Sequence, residues 1–292
     1  MPLRELGKTG INVTILGFGA GQIGDNSISE KETEFLLNSV LDLGINFIDT
    51  ARGYGLSEER IGKYISNRRS EYILSTKVGY GIDGIQDWTY DCIVAGVEYA
   101  LKLLKTDYID VVHLHTCPLQ TLLQGDVINA LHRCIEKGKI RAAAYSGENS
   151  ELECALTSGQ FESVQTSVNI FDQSKLSDLV PMAVDKKIGI VGKRPLGNTP
   201  WKYKERPVNH YSEIYWERMK KMKLDFGEQW AETALRFSVF SEGITTCITG
   251  TKNFDHLKEN SDHVLNGALP AETYNLIRGK FQECNEGWVG QV

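Results

Sequence analysis

No run of about 18 consecutive apolar residues, the length needed to span a bilayer, occurs in the chain. A helical membrane span is therefore not expected. The start, Met1-Pro2-Leu3-Arg4-Glu5, carries charge where a secretory leader would carry an apolar core. The cysteines, at 92, 117, 134, 154, 247 and 284, include no C-x-x-C pair. That spacing speaks against a zinc ribbon and a disulfide scaffold, and for reduced thiols in a cytoplasmic enzyme. A basic excess is missing too, with 32 Lys+Arg against 38 Asp+Glu and a net charge of -6. This argues against a general nucleic-acid binder. The one dense basic run, Arg218-Met219-Lys220-Lys221-Met222-Lys223, reads as a solvated helix face. There is no internal repeat and no low-complexity tract.

What is present is an ordinary globular composition, 41% apolar and 24% charged over 292 residues. Leu3–Leu6 and Ile11–Val13 flank the turn Gly7-Lys8-Thr9-Gly10, a hairpin signal. Eight short apolar runs follow, at 14–18, 46–49, 72–77, 108–114, 140–145, 163–168, 188–192 and 244–248. Amphipathic helical patterns lie between them, such as Glu30 to Leu43, stopping at Gly44, and Ile93 to Leu104. Eight β-α alternations with no break in composition predict a closed parallel barrel, with an open doubly wound sheet as the competing arrangement. The expected organisation is one (β/α)8 TIM-barrel domain over 1–292. Residues 1–13 form a hairpin cap, and 270–292 a C-terminal helix and tail. The long irregular stretch Pro195–Ser212 is of a kind that serves a site or is mobile.

Gly19-Ala20-Gly21-Gln22-Ile23-Gly24 fits G-x-G-x-x-G and follows a strand. The context of a dinucleotide fingerprint is missing, however. Turn residues Asp25-Asn26-Ser27 follow where a helix should open, and Asp49 lies 28 residues past Gly21 instead of about 20. The glycines are better read as a flexible first βα loop approaching a ligand, with Gly19 as a contact.

Chemistry in a barrel sits at the C-terminal ends of the strands. Asp49, Lys77 and His115 end the second, third and fourth predicted barrel strands, and Tyr54 stands five residues past Asp49. A phenol is a poor acid at neutral pH, and a neighbouring ammonium favours its ionised form. Lys77 can supply that charge, Asp49 can hold Lys77, and His115 can hydrogen-bond a substrate oxygen. Such a set protonates a carbonyl oxygen while a cofactor delivers hydride to carbon. Singly, each of these residues reads as an ion pair or a rim aromatic; together they favour function. The competing constellation is a metallohydrolase site built on His113, His115 and Asp49. The ends of the later strands offer no further ligands, and His113 reads as an interior histidine one step deeper than His115. No metal is expected.

Residues 47–58, FIDTARGYGLSE, with Ser75-Thr76-Lys77-Val78 and Tyr108–His115, closely resemble the aldo-keto reductase signature. The resemblance runs from the hairpin to Asn260. It implies that Tyr54 is the general acid/base, tuned by Lys77 and Asp49, with His115 orienting the carbonyl. It also implies an extended nicotinamide dinucleotide across the barrel mouth. Ser146 and Gln165 match the carboxamide contacts, and Pro195-Leu196-Gly197 the loop over the pyrophosphate. Gly250-Thr251-Lys252, His256, Glu259 and Asn260 match the adenosine end. Strand, glycine and helix start also suit an anion in their own right.

Departures from the pattern accompany these matches. Lys193 and Arg194 stand where many members have an aromatic that stacks on the nicotinamide, so that platform is either absent or replaced by a cation. Gly147 follows Ser146 where Asn is usual. His256 stands where an Arg often grips the 2′-phosphate, leaving Lys252 as a point charge. Thr116-Cys117-Pro118 alters the substrate wall.

The resulting expectation is an NADP(H)-dependent reductase of an aldehyde or ketone. An NAD(H)-linked sugar dehydrogenase is the alternative, and a cofactor-loaded regulatory subunit with little turnover the alternative of another class. The expected partner is a small carbonyl or sugar substrate, with no nucleic acid and no membrane. Trp88, Trp201 and Trp288 are candidate pocket walls.

Overall fold

The computed structural model describes residues 1–292. Strands β1 (Leu3–Glu5) and β2 (Asn12–Thr14) pair antiparallel as the expected hairpin. The eight strands that follow are β3 (Leu16–Gly19), β4 (Phe47–Asp49), β5 (Ile73–Val78), β6 (Ile109–His115), β7 (Ile140–Ser146), β8 (Ser163–Ser167), β9 (Gly189–Lys193) and β10 (Thr246–Thr249). All pair in parallel in sequence order, and β10 pairs with both β9 and β3, which closes the barrel. The open doubly wound sheet is thereby excluded.

The period of two in each strand decides what lies inside. On β6, Val111, His113 and His115 rise up one face. In register with them are Ala142, Ala144 and Ser146 of β7, then Ser163 and Gln165 of β8. The floor of the interior is apolar, and the hairpin plugs it. Leu6, Ile11 and Val13 pack with Phe47, Val111, Ala142, Ala144 and Val191. The upper layers are polar, so functional side chains face one mouth. The alternate residues, among them Ile48, Leu74, Val112, Leu114, Ala143 and Ile190, face outward into the shell of helices.

The helix Glu30–Asp42 shows how the shell is set locally. Ser29 Oγ accepts from the Glu32 amide at 3.2 Å, and Glu32 Oε2 accepts from the Ser29 amide at 3.0 Å. This capping box satisfies two otherwise free donors. Leu36, Leu37 and Val40 then fall on the buried face.

Above the barrel a second apolar cluster gathers Phe171, Tyr215, Trp230, Phe237, Ile277 and Phe281. It anchors the C-terminal helix Ala271–Cys284. The 195–212 stretch is held, not loose. Asn198 Nδ2 donates to Tyr211 O at 2.9 Å, Ser212 Oγ to Asn198 O at 2.7 Å and Trp216 Nε1 to Tyr203 O at 2.9 Å. The tail crosses the mouth, where Gly290 exchanges two hydrogen bonds with the Asn149 side chain and Arg218 donates to Val289 O at 2.7 Å. No helix is long and apolar enough to cross a membrane.

Candidate active site

Asp49 closes β4, and the chain turns at once so that the Tyr54 amide donates to Ala51 O at 3.0 Å. The glycine-rich segment after β3 supports this turn. It is not the flexible loop expected from its glycines but an ordered 3-10 turn, Ala20–Gly24. Side chains from the helix Ser57–Tyr64, which follows Tyr54, satisfy carbonyls of this turn and of Asp25 just past it: Ser57 Oγ donates to Ala20 O at 2.8 Å, and Arg60 to Ile23 O at 2.6 Å and Asp25 O at 2.8 Å. Gly24 is required by close approach, since a Cβ there would lie 1.7 Å from the Tyr54 carbonyl oxygen. Gly24→Ala should cost about 1–3 kcal/mol through overpacking. Thermal unfolding should read the loss, and activity should fall with it because the turn carrying Tyr54 must shift.

Lys77, on β5, sends Nζ to Asp49 Oδ2 at 2.5 Å and to Thr50 O at 2.8 Å. Both charged side chains are 1% exposed. Burial alone would lower the Lys77 ammonium, but Asp49 and, after it, Tyr54 outweigh that and hold it above the ordinary lysine value. The same Nζ lies 4.9 Å from the Tyr54 ring centroid, and the Tyr54 ring meets the His115 ring edge-on at 5.8 Å. All four predicted catalytic positions therefore meet. Burial, then the nearby Lys77, pushes His115 down to about 3, so its imidazole is neutral at working pH. His113 lies deeper, its Nε2 3.1 Å from Ser75 Oγ, which donates to Asp49 Oδ1 at 2.9 Å. Burial lowers His113 to about 4. No three His, Cys, Asp or Glu side chains are grouped to hold a metal.

His115, Ser146 and Gln165 are register neighbours across β6, β7 and β8. Ser146 Oγ donates to Gln165 Oε1 at 2.9 Å, which fixes the amide so that its Nε2 is left buried without a partner. An unmet buried donor costs about 1–3 kcal/mol. A ligand carbonyl oxygen would satisfy it, so the pair fits a carboxamide.

A buried charge cluster lies next to this pair. Glu148 meets Lys175 at 2.9 Å and Lys193 at 3.3 Å, and Lys175 also meets Asp172 at 2.8 Å. Thr166 Oγ1 and the Ser167 amide also donate to Glu148, at 2.7 and 2.8 Å. Burial would raise Glu148, but Lys193 and Lys175 hold it down at about 2. Burial lowers Lys193 to about 8, opposed by Glu148 and assisted by Arg194. One departure from the resembled pattern, the cation at Lys193 in place of the stacking aromatic, thus pairs with Glu148, a carboxylate just past β7. Arg194 donates to Ser167 Oγ at 3.1 Å, to Tyr211 Oη and to Gln291 O. The long loop and the tail are thereby tied at the mouth.

A cavity of about 380 Å³ is lined by Asp49, Tyr54, His115, Ser146, Gln165 and Lys193, among others. Gly19, Arg194 and Gly250 of the predicted set also border it; Lys77 stands behind Asp49. A second cavity of about 400 Å³ shares Gln22, Arg194, Tyr211, Ile248 and Gly250 with the first and continues past Pro195 and Leu196. Together they form one groove. Gly197 packs on Phe171 outside it. Thr251, Lys252, His256, Glu259 and Asn260 lie outside both cavities, at the start and on the first turns of the helix Phe254–Leu265. Lys252 is engaged by Asp25 at 3.2 Å and by Ser27 Oγ at 2.6 Å.

The tryptophans do not line the tetrad's cavity. Trp88 packs against Tyr80, Trp201 stacks on Trp230, and Trp288 packs on Phe281. Their large apolar rings are taken up by the loop clusters instead. Sequence reasoning missed Gln22, Tyr80, Glu148, Tyr211 and Val292. Gln22, Tyr211 and Val292 had a signal, since they lie in the first βα loop, the 195–212 stretch and the short tail, where the sequence places ligand contact or specificity.

A family model described as "Aldo/keto reductase family" matches residues 15–281. Among solved structures, an aldo-keto reductase of Bacillus halodurans, AKR11C1 in its holo form, superposes with a TM-score of 0.82 at 26% identity, covering 96% of each chain. The L-galactose dehydrogenase of Arabidopsis thaliana is 26% identical over 280 residues, 88% of this chain and 86% of that protein. An Arabidopsis protein named "Probable voltage-gated potassium channel subunit beta" is 26% identical over 299 aligned residues, 89% of this chain and 90% of its own.

Proposed function

The chain belongs to the aldo/keto reductase family, a family of oxidoreductases, and from that premise we propose that it reduces an aldehyde or ketone to an alcohol with NADP(H), Tyr54 giving the proton. The observation that carries this reading is the meeting of Tyr54, the buried Lys77–Asp49 pair and neutral His115 at one end of a groove. A reduced nicotinamide, when bound, supplies the hydride. Ser146 and Gln165 would hold its carboxamide, the latter through its free Nε2. Gly19, Lys193 and Arg194 would border the ring and the first phosphates. Pro195, Leu196 and Gly197 would cover the pyrophosphate. Gly250, Thr251, Lys252, His256, Glu259 and Asn260 would meet the adenosine end.

The remaining chemistry belongs to this chain's own side chains. His115 donates a hydrogen bond to the carbonyl oxygen and fixes its direction. The Tyr54 hydroxyl passes its proton to that oxygen as negative charge develops there. The Lys77 ammonium stabilises the phenolate that Tyr54 becomes, and Asp49 keeps Lys77 charged and in place. The steric wall of the site is formed by Thr116 and the ordered 195–212 loop. Initial-rate reduction across a panel of aldehydes and ketones, read by loss of reduced nicotinamide absorbance, tests the reaction.

Cofactor choice has a specific handle. Lys252, the one candidate cation for a 2′-phosphate, already faces Asp25. Asp25→Asn should therefore tighten NADPH binding relative to NADH by about twofold to fivefold, an effect fading at high salt. Fluorescence titration with both cofactors measures it; an unchanged ratio would remove Lys252 from the phosphate site. The likeness to an L-galactose dehydrogenase keeps NAD-linked sugar oxidation as the second reading, and a wild-type preference for NADH would favour it.

A further inference from the structure

Two residues past the end of β5, Tyr80 places its hydroxyl 2.8 Å from His115 Nδ1 and stacks its ring on the imidazole at 5.7 Å, the planes 27° apart. We propose that Tyr80 is a positioning residue that selects the His115 tautomer with Nε2 protonated and aims that N–H at the substrate oxygen.

The direction of the hydrogen bond follows from donor accounting. A phenol in a part-buried setting needs an acceptor for its hydrogen, and His115 Nδ1 is the one partner the Tyr80 hydroxyl has. An imidazole protonated at Nδ1 would leave the phenol hydrogen without an acceptor in the protein. Neither group is charged at neutral pH, because burial lifts the Tyr80 phenol and depresses the His115 imidazole. With Nδ1 accepting, the single imidazole proton resides on Nε2, the atom left to meet a substrate oxygen.

The placement of Tyr80 is itself constrained. Its ring packs against Trp88 at 6.0 Å, and Trp88 is fixed by its amide donating to Gly79 O at 2.8 Å. On the other side, a Cβ on Gly53 would lie 2.7 Å from the Tyr80 hydroxyl. That turn carries Tyr54. One hydroxyl thus touches the orienting imidazole and abuts the turn of the proton donor, so both are registered against the same point. Tyr80 itself does not line the cavity.

Tyr80→Phe keeps the stacked ring and removes only the hydroxyl. The test uses the full chain with ¹⁵N-labelled histidine, and His115→Asn assigns the resonances. Wild type should show His115 protonated at Nε2 alone; Tyr80→Phe should show exchange between both tautomers at an unchanged unfolding temperature. The kinetic arm rests on the reductase reading of the site: kcat/KM for a carbonyl substrate should fall roughly fivefold to tenfold, the worth of one neutral hydrogen bond. Dissociation constants for NADPH should stay the same. An Nδ1-protonated His115 in the wild type, an unmoved tautomer in the variant, or a tautomer change with unaltered kcat/KM would each overturn the proposal. The spectral result in a chain that reduces no carbonyl would instead sustain the Tyr80–His115 pairing and remove the reductase reading.

Discussion

Tyr54→Phe is expected to lower kcat for carbonyl reduction by roughly 10²–10⁴-fold, the range for losing a general acid, while cofactor affinity stays within about twofold of wild type. The substitution removes one oxygen. The ring remains beside Lys77 Nζ and edge-on to His115, and the turn is still held by Gly24 and Ser57. The proton source is lost without a change of shape, so kcat and kcat/KM should fall together. Turnover close to wild type would mean that the proton comes from another group.

Lys77→Met should have two large effects. Turnover should be lost, because the ammonium that stabilises the Tyr54 phenolate is gone. Stability should fall by about 3–5 kcal/mol, because the Asp49 carboxylate is left buried without its cation. Asp49 then retains only Ser75 Oγ among the side-chain donors now on it. The double variant Asp49→Asn/Lys77→Met separates the two effects, since Asn keeps an acceptor for Ser75 and carries no charge. Urea midpoints should recover much of the loss in the double variant, with activity still absent. A single variant as stable as wild type would show that the pair is not the tightly coupled buried ion pair its geometry describes.

Much of the barrel was legible because its determinants are local. Each strand announces itself by a short apolar run, and helices by their period and, as at Gly44, their stop. The tetrad was legible for a related reason: Asp49, Lys77 and His115 mark strand ends, and in a closed parallel barrel strand ends converge. What stayed hidden depends on groups far apart in sequence. Glu148, Lys175 and Lys193 come from three different segments, and nothing in any one of them announces a buried cluster. The glycines after β3 read as freedom, yet they serve close packing under the Tyr54 turn, with Arg60 supplying the hydrogen bonds that order it. Tyr80 sits between two glycines, a context that reads as loop, and its role emerges only from its distance to His115. The tryptophans misled because ring size suggests a pocket wall, whereas Trp201 and Trp288 complete apolar clusters beneath the loops.

The most direct test of the whole account is a crystal structure of the chain grown with reduced dinucleotide. The predicted result is a nicotinamide in the cavity between Tyr54 and Gln165, its carboxamide oxygen on Gln165 Nε2 and its reactive carbon open toward Tyr54 and His115. A dinucleotide bound elsewhere, or a ring turned away from the phenol with Gln165 Nε2 still unmet, would contradict it.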